Sequence, residues 1–163
     1  MYVYLASPID HHKDSLLYQA RDDMRQILIK SETVLFDPAK AWSIDVLTKT
    51  NLDELDRLSQ VNFAALNSAD LLVAMVPLKV PTVGTPIEVY HTLTQTDIPV
   101  ALWFGTSISS AIGAMWAHLL NEYADRIIII GDHPDDQFSN GPVGQSAVRA
   151  ALAWAKNKIG ISA

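Results

Sequence analysis

Residues 68–93 read SADLLVAMVPLKVPTVGTPIEVYHTL, and the way this stretch divides decides the fold. LLVAMV (71–76) is a short continuous apolar run without polar alternation, the pattern of a strand buried on both faces. After a passage containing two prolines and a glycine, Thr85-Pro86-Ile87-Glu88 reads as a helix opening, with Thr as cap, Pro at the first helical position and Glu three residues after the cap. A buried strand, a long loop and an amphipathic helix make one unit of a parallel α/β sheet.

The same unit recurs along the chain. VYLA (3–6), VLF (34–36), VALWF (100–104) and IIII (127–130) read as further strands, and helices are expected near 13–30, 51–67, 86–96, 109–122 and 143–157. Five strands, each followed by a helix, predict a flavodoxin-like doubly wound α/β sheet of mainly parallel strands with helices on both faces. No repeat, low-complexity tract or linker divides residues 1–163, so a single domain is expected.

Composition narrows the function. The formal net charge of −6, with Lys and Arg scattered, argues against binding a nucleic-acid polymer through its phosphates and favours a small ligand. The absence of cysteine excludes disulfides, thiolate zinc sites and a Cys nucleophile. No apolar run approaches the roughly 18 residues of a membrane span. A soluble, cytoplasmic protein without a membrane partner is the expectation.

In an open parallel sheet, ligands bind beyond the carboxyl ends of the strands where strand order reverses. Polar residues gather in the segments leaving those ends: SPIDHHKD (7–14), DPAKAW (37–42), PLKVPTVGTPIE (77–88), GTSISS (105–110) and GDHPDDQFSNGPVG (131–144). If the order is flavodoxin-like, the first and third strands are neighbours, and Ser7, Asp10 and Glu88 converge on one crevice. No GxxxxGK[ST] or GxGxxG occurs, which removes the usual support for ATPase or dinucleotide chemistry. Glu88 and His91 form one Glu-x-x-His step, short of the paired steps of a carboxylate di-metal bundle, so neither metal nor cofactor is expected.

Glu88 has two readings. Thr-x-x-Glu at a helix start is a capping box worth on the order of 1 kcal/mol. The unusually long loop before it favours function, and a carboxylate in the first helical turn is expected to stay ionised, as a nucleophile requires.

VYLASP (3–8), SADLLVAMV (68–76) and TVGTPIE (82–88) together resemble the nucleoside 2-deoxyribosyltransferase superfamily, which includes deoxyribosyltransferases and related deoxynucleoside-monophosphate N-glycosidases. The resemblance implies that Glu88 is the catalytic nucleophile and that the Tyr4 hydroxyl orients it. It implies substrate contacts at Asn62 and Thr82, close approach of substrate at Gly84, and a place for Ser109 or Ser110 where a neighbouring subunit of a homo-oligomer completes the pocket. Asp10 caps the first helix or binds the sugar, Asp70 reads as structural, and Trp42 either stacks on a base or lies at a subunit contact. The implied partners are a deoxynucleoside or deoxynucleotide and a free nucleobase, and the implied chemistry is substitution at the anomeric carbon. Three outcomes stay open: transfer to a second base, hydrolysis of deoxynucleoside 5′-monophosphates, and a nucleotide-sensing module without catalysis.

Overall fold

The computed structural model describes residues 1–8, 15–42, 52–77, 82–104, 113–131 and 142–160. Five strands form one all-parallel sheet in the order β2-β1-β3-β4-β5: β1 (Tyr2–Ala6), β2 (Val34–Phe36), β3 (Leu71–Met75), β4 (Val100–Trp103) and β5 (Ile127–Ile129). The connecting helices are α1 (Ser15–Lys30), α2 (Pro38–Ala41), α3 (Leu52–Asn67), α4 (Gly84–Gln95), α5 (Ala114–Glu122) and α6 (Pro142–Lys158). The flavodoxin-like architecture expected from the strand pattern is therefore present. No helix among the described residues is long and apolar enough to cross a membrane.

Alternation along the strands sends successive side chains to opposite faces. Val3, Leu5, Val73 and Met75 pack with α1 and α6, whereas Tyr4, Ala6, Leu72 and Ala74 pack on the side of α3, α4 and α5. α1 answers the first layer with Leu17, Ala20, Met24, Ile27 and Leu28, spaced for one helical face. It ends at Lys30, and Glu32, with a left-handed φ of 57°, turns the chain toward β2 while Ser31 and Thr33 hydroxyls donate to the carbonyls of Ile27 and Leu28.

Register is pinned at the amino edge of the sheet. Asp70, just before β3, donates its N–H to the Tyr2 carbonyl at 2.8 Å and accepts the Tyr2 N–H on Oδ2 at 2.7 Å. From this anchor Tyr4 pairs with Leu72 and Ala6 with Ala74. Two alanines thus flank the space beyond Tyr4 at the carboxyl edge, on the face that α4 covers.

Two local expectations need correction. The one-turn helix α2 lies inside a segment read as a loop, although Asp37-Pro38 is a cap-and-proline start: Asp37 Oδ1 accepts the Ala39 N–H at 3.0 Å. The second concerns Thr85. It does not cap α4, which begins one residue earlier with Val83 at the cap position and no side-chain capping bond. Thr85 is buried inside the first turn, because the face formed by Thr85, Val89, Thr92 and Leu93 must lie on the sheet and so sets the helix phase. Pro86 is tolerated as the third helical residue because no N–H of the first turn has an intrahelical partner.

Candidate functional site

Strand order β2-β1-β3 makes β1 the neighbour of β3, so the helix leaving β3 starts over the carboxyl half of β1. The two residues singled out there meet. Tyr4 is fully buried, and its hydroxyl donates to Glu88 Oε1 at 2.6 Å, a short charge-assisted geometry. The Phe36 ring from β2 stacks against the Tyr4 ring with centroids 5.4 Å apart, fixing its plane.

The electrostatics differ from the capping-box expectation. Glu88 is the fifth residue of α4, beyond the first turn where helix dipoles act strongly. Burial disfavours its charged form and outweighs the Tyr4 hydrogen bond, which acts the other way, so the carboxyl is pushed up to about 7. Neutral and ionised forms coexist near pH 7 rather than the ionised form alone. Burial first and the Glu88 charge second raise the Tyr4 hydroxyl far above its ordinary value, so it remains a proton donor throughout.

The other expected site residues divide into three groups. Ser7 follows β1 at the carboxyl edge, is only 7% exposed, and its Oγ has no hydrogen-bond partner among the described residues. A buried hydroxyl left unpaired at a sheet's ligand edge is a group that a ligand can satisfy. Thr82 precedes α4 and is half-buried, and Gly84 opens the helix with no heavy atom within 4 Å of where a Cβ would stand. Nothing among the described residues therefore demands glycine at 84, and they leave the space above its Cα open. Asn62 is held on α3, where Oδ1 accepts the Trp42 indole N–H at 3.0 Å. Asp10, Ser109 and Ser110 lie outside the described residues.

His91 is a wall residue of the α3–α4 pair. Its Nε2 lies 2.8 Å from Asn67 Oδ1 and its ring leans on Phe63 with centroids 4.8 Å apart. No group of three or more His, Asp or Glu among the described residues could hold a metal ion.

Asp37 was not singled out by sequence reasoning. It is buried at the carboxyl end of β2, burial raises its carboxyl against the opposing pull of Arg21 and Arg25, and Oδ2 lies 3.8 Å from Arg25 Nε without a hydrogen bond among the described residues. The Asp-Pro pair was the available signal, but it marks a helix start and carries no sign of burial.

No protein-family model matches the chain, and no curated protein matches it in sequence. Among solved structures it is similar to the 2-deoxyribosyltransferase of the psychrotolerant bacterium Bacillus psychrosaccharolyticus, with a TM-score of 0.56 and 18% identity, covering 72% of this chain and 81% of that one. It is also similar to a conserved protein from Enterococcus faecalis V583, with a TM-score of 0.52 and 20% identity, covering 97% of this chain and 98% of the other. At these identities the likeness is one of fold.

Proposed function

We propose that this chain breaks the N-glycosidic bond of 2′-deoxyribonucleosides through a covalent deoxyribosyl–Glu88 intermediate and passes the sugar to a second nucleobase. The observation that carries the reading is the 2.6 Å bond from the Tyr4 hydroxyl to Glu88 at the carboxyl edge between β1 and β3. The shared fold with a 2-deoxyribosyltransferase supports it independently.

Breaking a glycosidic bond develops positive charge on C1′ and the ring oxygen, and a carboxylate beneath the sugar stabilises that charge and can trap it. In its ionised form Glu88 bonds to C1′, while the base departs with the electron pair of the C1′–N bond and takes up a proton from solvent. Tyr4 holds the carboxylate in one orientation and remains protonated. A second base then attacks C1′ through a ring nitrogen and releases one ring N–H proton to solvent, the Glu88 carboxylate leaves with the ester's electron pair, and two displacements retain the anomeric configuration. Ser7, Asn62, Thr82 and Gly84 supply substrate contacts in this reading, with Asp10 and Ser110 assigned from sequence alone.

The deciding experiment incubates the protein with each deoxynucleoside and each 5′-monophosphate, with and without a second free base, and separates the products by chromatography. Transfer predicts a new deoxynucleoside only when the second base is present. Release of base from monophosphates alone would replace the reading with hydrolysis, and binding without turnover would replace it with sensing.

A further inference from the structure

The Trp42–Asn62 contact does more than join α2 to α3. An indole N–H can only donate, so the 3.0 Å bond from Trp42 Nε1 assigns the amide: Oδ1 faces the indole and the –NH2 group faces away. No other hydrogen bond engages Asn62 among the described residues, so none of these claims its two N–H donors.

The height of this amide along α3 places it about 3 Å beyond Glu88 toward the carboxyl edge. Both α3 and α4 connect parallel strands and so run in the same direction, and Asn67 of α3 is level with His91 of α4, in hydrogen-bond contact at 2.8 Å. At about 1.5 Å per residue, Asn62 lies roughly 7.5 Å and Glu88 roughly 4.5 Å nearer the carboxyl edge than that contact. Trp42 itself follows the Phe36 whose ring stacks on Tyr4.

We propose that Trp42 is a positioning residue that locks Asn62 as a hydrogen-bond donor, and that the site thereby selects nucleobases presenting a carbonyl oxygen at purine C6 or pyrimidine C4 over those presenting an amino group there. The proposal rests on the deoxyribosyl-transfer reading above. A free asparagine can turn its amide to suit either group. A locked one cannot, because turning would set its –NH2 against the indole N–H and leave both donors unpaired. An amino base at this position faces donor with donor, and the loss of one neutral hydrogen bond corresponds to about tenfold in affinity.

The test compares kcat/KM for deoxyinosine against deoxyadenosine, and for deoxyuridine against deoxycytidine, in the wild type, Trp42→Phe and Asn62→Asp. The wild type is expected to favour the carbonyl member of each pair by about tenfold or more. Trp42→Phe should narrow that ratio toward one, with the change in KM rather than kcat. Asn62→Asp keeps an acceptor for the indole but presents an acceptor to the base, and it should reverse the preference, which a merely structural role would not do. Turnover without carbonyl preference, or a preference that survives either substitution, overturns the proposal. Should Trp42→Phe fail to fold, Asn62→Asp decides alone. A second measurement follows the Asn62 side-chain amide by 15N NMR, identified by its loss in Asn62→Asp, during titration with uracil and with cytosine. A shift with uracil only, in a protein that turns nothing over, supports the donor lock while the reaction reading fails. Neither turnover nor a shift overturns both.

Discussion

The hydroxyl of Tyr4 donates to Oε1 of Glu88 at 2.6 Å across a separation of 84 residues in the chain. Sheet topology produces this contact: β1 is hydrogen-bonded to β3 in register Tyr4↔Leu72, and α4 returns over that pair. The burial that packs the sheet also raises the Glu88 carboxyl, so stability and reactivity are coupled at one side chain.

Glu88→Gln should abolish glycosyl transfer by orders of magnitude while retaining the fold, because the amide cannot form the ester yet still accepts from Tyr4. Stability separates it further from the wild type. Below about 4.5, the ordinary value, Glu88 is protonated in both folded and unfolded chains, and its contribution to stability is fully present. Between there and about 7 the folded state retains a proton that the unfolded state has released, so stability falls as pH rises and the loss is complete above about 7. The Gln variant escapes this loss and should exceed the wild type by at most about 3 kcal/mol at pH 8. Denaturant unfolding at pH 4 and pH 8 checks it.

Activity should run opposite to stability. The nucleophile is the ionised form, so kcat/KM should climb with pH below about 7 and level off above it. Tyr4→Phe removes the hydrogen bond that favours the charged form of Glu88, and its limb should move to higher pH. The variant should lose about 1–3 kcal/mol of stability for an unpaired buried acceptor. A pH–rate profile of both proteins tests the pair.

The parts of this fold legible in the sequence are those fixed by burial. LLVAMV and VYLA lack polar alternation because β3 and β1 are covered on both faces, and the helices between them carry one apolar face each. α2 escaped because four residues hold no periodicity, although Asp37-Pro38 announces its start. At Thr85 a local capping pattern competed with the need to bury Thr85, Val89 and Leu93, and packing prevailed. The Tyr4–Glu88 pairing was implied by family resemblance, since periodicity alone gives a strand tyrosine with no partner. The protonation of Glu88 depends on desolvation by groups distant in sequence, and the Trp42–Asn62 bond joins elements 20 residues apart. Neither is written in a local pattern.

At the opposite edge of the sheet, Asp70 should affect stability without affecting chemistry. Its backbone and carboxylate clasp Tyr2 through two bonds, and Asp70→Ala removes the one made by Oδ2, leaving the Tyr2 N–H without that acceptor. The cost should be about 1–3 kcal/mol, seen in thermal unfolding, with turnover of the folded fraction unchanged. Asp70→Asn keeps an acceptor and should recover most of the loss.

Arg126 completes the support of the helix that carries Glu88. Its guanidinium donates from Nη1 to the Leu93 carbonyl at 2.9 Å, and from Nη2 to those of Ile98 and Thr92 at 3.0 and 3.2 Å. Thr92 and Leu93 belong to the last turn of α4, whose carbonyls have few partners within the helix. Cation and helix C-terminus also attract through the dipole. Arg126→Met should leave the Leu93 and Ile98 carbonyls without this donor, while Thr92 keeps its bonds from Thr96, and should cost about 3 kcal/mol. Arg126→Lys, a point charge without the planar fork, should fall between the two because it cannot span three carbonyls at once. The local readout is amide hydrogen exchange at Thr96, whose N–H bonds the Thr92 carbonyl: it should accelerate in both variants, more in Met than in Lys, while exchange in β3 changes only with global stability. Unchanged protection at Thr96 in a folded Arg126→Met protein would show that α4 is held by its buried face alone.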